Sequence, residues 1–135
     1  MPLEPGTSLY YSGMAYGRAG EHELAIEALT RVSEITGRVT YYVGVLAWAF
    51  ANAGREDEAR SLLEELHERS NNDYVGPVMF AFIHSGLREN DQAMEWLSRA
   101  IEERSPIRLW LYFPVFENLR DDPRFPELLH RLGLG

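Results

Sequence analysis

The chain has 135 residues, a net charge of −8 and no cysteine, and all of its basic residues are arginine. These features exclude disulfides, thiolate metal sites, cysteine nucleophiles and the lysines of Schiff-base and P-loop enzymes. The negative charge opposes nucleic acid and anionic membranes as partners. The amino terminus lacks a basic region followed by a long apolar run, and the longest uncharged stretch, 39–54, is too short to span a membrane. We therefore expect a cytoplasmic protein, or a fragment of one.

An internal repeat with a period of 34 residues is the strongest pattern in the sequence. A glycine followed five residues later by an alanine occurs at Gly20 and Ala25 and again at Gly54 and Ala59, and a further 34 residues lead to Ala93. The same interval relates the small residues Gly13, Ala47 and Ala81, the rings Tyr16, Phe50 and His84, and the leucines Leu29, Leu63 and Leu97. Agreement at several positions in three units predicts three copies of one structural element.

Each unit predicts two helices, taken here in chain order. The apolar first helices, called A helices, are predicted over 9–19, 40–53 and 74–85. The amphipathic second helices, called B helices, are predicted over 21–35, 55–69 and 90–104, where apolar residues recur at helical spacing. A glycine between the two helices suits a left-handed helix end. The alanine of each B helix suits a close crossing with helix A, where a larger side chain would push the axes apart.

Taken together, the period, the small residues, Tyr16, Phe50, the turn glycines and the three alanines resemble the tetratricopeptide repeat family over about residues 7–105. The resemblance implies an all-α fold: a TPR-like α-solenoid of three helix-turn-helix repeats with a C-terminal helical cap. The whole chain, 1–135, is then one domain, with repeats at about 7–38, 39–72 and 73–106 and a cap over 107–135. The third unit departs from the family because Arg88 replaces the turn glycine and Gly86 precedes it, so we expect a longer turn there. His84 replaces an aromatic ring.

The C-terminal segment, which contains WLSRAIEERSP and LRDDPRFPELLHRLGL, resembles the end of tetratricopeptide modules in bacterial multidomain regulators. Stacked repeats expose an apolar face at each end, and a capping element must cover it. We expect a short helix over 107–113 that Pro114 breaks. A second helix is expected to begin with Asp122 as N-cap and Pro123 in its first turn, and to stop at Gly133. The segment 3–7 resembles either the tail of a preceding repeat or an entry loop.

Charge is distributed unevenly between the two kinds of helix. The A helices over 40–53 and 74–85 lack Asp, Glu and Arg, and the first has only Arg18, whereas nearly all acids lie on B helices or turns. In the resembled family the A helices line a concave groove and the B helices form the convex back. The resemblance thus implies a nearly neutral groove and an acidic back.

The family's geometry also implies which A-helix residues face the groove and which pack inward. The groove residues are Tyr10, Met14 and Arg18, then Tyr41, Trp48 and Asn52, then Val75, Val78 and Phe82. The inward residues are Leu9, Tyr16, Val43, Leu46, Phe50 and Phe80. An apolar, aromatic groove of this kind predicts a protein-interaction module that binds a peptide or protein segment. The places where one subclass of the family carries a carboxylate clamp hold Tyr10, Met14, Gly44 and Trp48, so no clamp is expected.

Other interpretations remain open at this point. In one alternative, the groove residues pack against neighbouring A helices or against the chain's own tail. Two copies of the chain could bury their A-helix faces or their caps against each other as a symmetric homodimer. The chain could also be the non-catalytic part of a larger regulator or enzyme.

Residues able to carry chemistry are few and poorly placed for it. The four histidines form no metal-spaced pair; we expect His22 and His67 to be solvated and His84 to pack in the core. Adjacent acids such as Glu64 and Glu65 diverge around a helix, no glycine cluster follows a strand, and no serine lies on a nucleophile elbow. The sequence therefore predicts no enzyme, no cofactor and no metal site.

Overall fold

A computed structural model describes residues 7–72, 74–103 and 119–131. These residues form α-helices joined by turns, without a β-strand in the described ranges. The helices are α1 (Thr7–Arg18), α2 (His22–Ile35), α3 (Thr40–Asn52), α4 (Glu56–Arg69), α5 (Pro77–Gly86), α6 (Asn90–Glu102) and α7 (Arg124–Arg131). The predicted all-α class is confirmed. The A helices are α1, α3 and α5, and the B helices are α2, α4 and α6.

Three helical hairpins, α1–α2, α3–α4 and α5–α6, stack in chain order around one apolar core. Small residues bring the two helices of a hairpin together. Ala25, Ala59 and Ala93 are exposed by only 1%, 0% and 0%, as a close crossing requires. On the facing helix, a Cβ added to Gly17 would lie 3.8 Å from the Cβ of Ala25. The repeated alanines are therefore contact points between helices, as the 34-residue pattern predicts.

The turns inside the three hairpins have the same length and the same hydrogen bonds. Gly54 has a φ of +79°, and the N–H of Arg55 donates to the carbonyl oxygen of Phe50 at 2.9 Å. In the third hairpin Arg88 adopts a φ of +63°, and the N–H of Glu89 donates to the carbonyl oxygen of His84, also at 2.9 Å. The expected longer third turn is wrong, because Arg88 takes the left-handed conformation itself, at a cost of about 1–2 kcal/mol.

The third A helix begins later than predicted. Helix α5 starts at Pro77 instead of residue 74, and Gly76 precedes it in an extended conformation. Proline is well suited to the first helical position because its missing N–H has no partner to lose there. Val75 consequently lies in the connection from α4 and not on a helix. Helix α6 ends at Glu102, and the predicted end at residue 104 lies outside the described residues.

Helix α3 lies at the centre of the stack and packs on both α2 and α5. Its Trp48, exposed by only 3%, lies between two glycines of neighbouring helices. A Cβ on Gly17 of α1 would lie 3.0 Å from Cη2 of Trp48, and a Cβ on Gly86 of α5 would lie 3.2 Å from its Cδ1. One indole ring therefore ties the first, second and third hairpins together.

Helix α7 lies against α6 at the C-terminal side and buries Phe125 and Leu128. Arg124 forms an ion pair with Asp91 at 2.9 Å, and Nη1 of Arg131 donates to the Ser98 hydroxyl at 3.1 Å. Asp122 accepts the backbone N–H of Arg124 at 2.9 Å, although the helix begins one residue later than predicted. The predicted helix over 107–113, its break at residue 114 and the stop at residue 133 lie outside the described residues.

Candidate interaction surface

Most of the predicted groove side chains lie inside the protein. Six of the nine are buried: Tyr10, Met14, Trp48, Val75, Val78 and Phe82. The Phe82 ring has no exposed surface and lies 6.1 Å from the Tyr41 ring in an edge-on arrangement. The placement of Trp48 and Phe82 on an open groove is therefore wrong. They fill the space between successive A helices: Gly17 of α1 leaves room for the Trp48 ring, and Gly44 and Gly86 let α3 and α5 approach closely.

Three of the predicted groove residues remain at the surface. Arg18 is exposed at the end of α1, and Asn52 is half-buried at the end of α3. Tyr41 is half-buried in the first turn of α3. The accessible part of the predicted groove thus consists of a polar end, at Arg18 and Asn52, and an aromatic end, at Tyr41.

The expected inward set shows one error. Val43, Leu46 and Phe80 are buried, and Leu9 and Phe50 are half-buried. Tyr16 is instead 38% exposed. It lies on the outer side of the first hairpin, where no other described hairpin covers it, whereas its counterpart Phe50 has the guanidinium of Arg55 at 4.9 Å from its ring centre.

A cluster of aromatic rings joins the first turns of α1 and α3 to α5. The ring centres of Tyr10 and Tyr11 lie 5.2 Å apart, those of Tyr10 and Tyr42 lie 5.7 Å apart, and those of Tyr41 and Tyr42 lie 5.2 Å apart, all edge to face. This is the favoured geometry of aromatic pairs. Tyr11 is 63% exposed, while Tyr41 and Tyr42 are half-buried. We call these four residues the tyrosine cluster.

Burial disfavours ionisation of two phenols in the tyrosine cluster, those of Tyr10 and Tyr41. The hydroxyls of Tyr10 and Tyr41 form a hydrogen bond with each other. Burial raises the pKa of both phenols above the ordinary value of tyrosine. Because α1, α3 and α5 carry no aspartate or glutamate, the cluster lies on a side of the protein without acidic side chains on its own helices.

Ion pairs on the B-helix side connect successive hairpins. Arg38 pairs with Glu65 at 2.9 Å, and Arg60 pairs with Glu89 of the next hairpin at 2.9 Å as well as with Glu56 of its own helix at 2.8 Å. Exposed pairs of this kind each contribute about 0–1 kcal/mol, so apolar packing dominates the stability.

A second aromatic group, which sequence reasoning missed, lies between α4, α5 and α6. His67 stacks on Phe80 with ring centres 4.3 Å apart, and Phe80 stacks on Trp96 at 4.5 Å. The guanidinium of Arg99 lies 4.5 Å from the centre of the Trp96 ring. His67, expected to be solvated, keeps an exposed edge but uses its ring face for packing. We call His67, Phe80 and Trp96 the ring stack.

The histidine predicted to pack in the core does so. His84 is buried, and its Nδ1 lies 2.9 Å from Oε1 of Glu89, whose other oxygen accepts from Arg60. Burial alone would raise the pKa of Glu89, but the hydrogen bonds from Arg60 and His84 outweigh it and lower that pKa. This network links α4, α5 and the turn before α6 without forming a site for chemistry.

Neither metal-binding nor membrane-spanning features appear in the parts of the chain described above. Residues 7–72, 74–103 and 119–131 contain no group of three or more histidine or acidic side chains arranged to hold a metal ion. None of the described helices combines the length and apolar character needed to cross a bilayer. The cleft between α6 and α7, about 320 Å³, is lined by charged groups such as Asp91 and Arg124 that pair with each other.

The stacked hairpins with small residues at their crossings define a helical repeat protein. Residues 7–34 and 46–70 match the family model of the tetratricopeptide repeat. These segments, which contain the first hairpin and most of the second, are similar to the repeats of the tetratricopeptide family. Repeats of this family mediate contacts between proteins and are not catalytic. No curated protein and no solved structure matches the chain.

Proposed function

We propose that this protein binds a peptide or protein segment with aromatic or apolar side chains along its A-helix side, and that the tyrosine cluster is the main contact. Arg18 and Asn52, at the other ends of α1 and α3, would contact polar groups of the same segment. The observation that carries the proposal is the exposure of Tyr11, together with Tyr41 and Tyr42, on two helices that contain no aspartate or glutamate.

The physical properties of the cluster favour binding. Tyrosine offers a large contact area with few rotatable bonds, and it is enriched among residues that dominate binding energies. Edge-to-face contacts with Tyr10 already restrict the neighbouring rings, so little side-chain entropy remains to be lost on binding. The buried ring of Phe82 contacts the Tyr41 ring edge to face.

The same surface disfavours acidic C-terminal peptides. Tyr10, Met14 and Trp48 stand at three of the positions where a carboxylate clamp would need basic or amide groups, and all three are buried. The fourth position is Gly44, where a Cβ would lie 3.2 Å from the Met79 sulfur. We therefore expect the bound segment to be recognised by its apolar side chains.

A peptide display library selected against the protein tests the proposal. The selected peptides should be rich in aromatic or apolar residues, and Tyr11→Ala and Tyr42→Ala should each weaken their binding by about tenfold, equivalent to about 1.4 kcal/mol. Tyr74→Ala is the matched control, because Tyr74 is also an exposed tyrosine, at 73%, and its hydroxyl bonds Glu103 at 3.0 Å instead of a ring of the cluster. Selected peptides that bind the cluster variants as tightly as the unchanged protein would contradict the proposal.

A further inference from the structure

The outer side of the first hairpin forms an open apolar face, which we call the end face. It surrounds a shallow cavity of about 210 Å³. The lining residues are Leu9, Ser12, Tyr16, Leu24, Glu27, Ala28 and Arg31. Tyr16 and Leu24 are 38% and 43% exposed, which is unusual for large apolar side chains that lie next to each other.

A comparison of residues 34 positions apart shows that the end face corresponds to surfaces that are buried between hairpins elsewhere in the stack. In the second hairpin, the residues 34 positions after Leu9 and Ser12 are Val43 and Leu46, and both are buried. In the third hairpin, the residue 34 positions after Leu46 is Phe80, which is also buried. The equivalent surface is thus covered by the preceding hairpin in units two and three, and it is uncovered only in unit one of the described residues.

The two ends of the described stack are not alike. At the C-terminal end, α7 lies on α6 through the ion pair of Arg124 with Asp91 and the hydrogen bond of Arg131 with Ser98. A second copy of the chain therefore cannot add its end face to α6 without displacing α7. With head-to-tail stacking blocked in this way, two copies that both use the end face meet as a two-fold symmetric dimer.

The charges on the end face are complementary to those on the end face of a second copy. Glu27 and Arg31 lie one turn apart on the exposed stripe of α2. In the described part of the chain, neither of them takes part in an ion pair. When two α2 helices meet antiparallel around a two-fold axis that passes midway between Glu27 and Arg31, Glu27 faces the partner's Arg31, and Arg31 faces the partner's Glu27.

We propose that the protein forms a symmetric homodimer through its end face, with Tyr16 and Leu24 supplying the apolar contact and two reciprocal Glu27–Arg31 pairs setting the orientation. The surface is separate from the tyrosine cluster, so the dimer does not depend on the proposed peptide binding. It also differs from a dimer built on A-helix faces or caps. The face involves only two helices, so the dimer is reversible and dilution dissociates it.

Charge reversal provides a sharp test by sedimentation equilibrium over a range of concentrations. Glu27→Arg and Arg31→Glu each place like charges opposite one another twice in the dimer, so each should weaken dimerisation by at least about tenfold. The double variant E27R/R31E restores both pairs and should dimerise as the unchanged protein does. An equimolar mixture of the two single variants should form a heterodimer, since one chain then carries two arginines and the other two glutamates.

Two controls separate the end face from other surfaces. Glu64→Arg makes the same charge change at an exposed position of α4 and should leave the dimer intact. Tyr11→Ala should weaken peptide binding without altering the dimer. The proposal is overturned if the unchanged protein is monomeric at all concentrations, if the single variants dimerise normally, or if the mixture of single variants fails to associate. A dimer lost in Tyr11→Ala and kept in Glu27→Arg would place the interface on the A-helix side and equally overturn it.

Discussion

The two junctions between successive hairpins differ, although the B helices on either side begin 34 residues apart, at His22, Glu56 and Asn90. At the first junction α3 packs mainly on α2, so the contact joins a B helix to an A helix. At the second junction α5 packs mainly on α3, so the contact joins two A helices, and α5 approaches α4 at few points. One repeat length therefore supports two packing arrangements in the same protein.

Side-chain size at equivalent positions explains why α3 packs closely on α2, whereas α5 approaches α4 at few points. Between α4 and α5 the ring stack of His67, Phe80 and Trp96 holds the backbones apart. The residues 34 positions earlier are Ser33, Leu46 and Leu62, which are smaller. The first junction can therefore close where the second cannot.

Side-chain size also explains why the A helices α3 and α5 pack closely on each other, whereas the A helices α1 and α3 do not. Gly44 of α3 lies against Met79 of α5, where an added Cβ would be 3.2 Å from the Met79 sulfur. The residue 34 positions before Gly44 is Tyr10, whose ring lies between α1 and the tyrosines of α3. Glycine lets the second pair of A helices close, whereas tyrosine keeps the first pair apart. The local choice of side chain, and not the repeat length, decides which helices meet.

The largest effect is expected from removing the residue that both junctions share. Trp48→Ala deletes a buried ring that contacts α1 and α5, and should lower the free energy of unfolding by about 3–5 kcal/mol. Urea unfolding followed by circular dichroism measures this. Tyr11→Ala, at an exposed aromatic residue, should change the free energy by less than about 0.5 kcal/mol. Similar losses in the two variants would show that Trp48 does not connect the hairpins.

The close A-to-A contact of the second junction can be forced open at Gly86. A Cβ there would lie 2.9 Å from the Cβ of Ala51 and 3.2 Å from the carbonyl oxygen of Trp48, so Gly86→Val should cost about 1–3 kcal/mol through overpacking. Gly76→Val is the matched control, because its Cβ would meet only the Tyr74 ring, at 3.8 Å. Thermal unfolding should separate the two variants, and equal melting temperatures would argue against a close α3–α5 contact.

Two residues of the ring stack, Phe80 and Trp96, can be replaced by leucine, the residue found 34 positions earlier at the first junction. Phe80→Leu introduces the residue found at position 46 and should destabilise the protein by about 1–2 kcal/mol, since the smaller side chain leaves a gap beside His67. Combining it with Trp96→Leu in a double-mutant cycle should reveal a coupling of about 0.5–1.5 kcal/mol. Strictly additive losses would mean that the rings pack independently.

The smallest effect concerns the pH dependence of the second junction. Burial, and secondarily the nearby His84, lower the pKa of His67 below its ordinary value of 6.5. The unfolded chain therefore binds a proton more readily than the folded one, so stability is complete above about pH 6.5 and falls as the pH drops towards the lowered pKa. His67→Ser, which copies Ser33, should flatten the slope of unfolding free energy between about pH 7 and 5. An unchanged slope would assign the titration to other groups.

Much of the architecture could be predicted from the sequence because it depends on local patterns. The helices, the glycine turns at Gly20 and Gly54, and the buried alanines follow from periodicity and from small residues at a fixed interval. The third turn could not be predicted, because Arg88 adopts a left-handed conformation that side-chain identity disfavours. The late start of α5 could have been found from Pro77, whose preference for the first helical position is a local signal.

The candidate surface was less predictable than the fold. The family's geometry placed Trp48 and Phe82 at the groove, but Gly17 leaves room for the Trp48 ring against α1, and Gly44 and Gly86 let α3 and α5 close on each other. The tyrosine cluster joins residues 31 or more positions apart, such as Tyr10 and Tyr41, so no short window of sequence contains it. Tyr16 faces outward only because it belongs to the first hairpin of the described stack.

Local patterns in the amino-acid chain specify the helices, their pairing into hairpins and the small residues at their crossings, because each depends on neighbours within about one repeat. Long-range packing specifies which hairpin faces close and which stay apart, and therefore which aromatic side chains reach the surface. The physical reason is that these contacts join side chains from different repeats. Their fit depends on the combined size of residues such as Gly44 and Met79, or Phe80 and Trp96, that no periodicity relates.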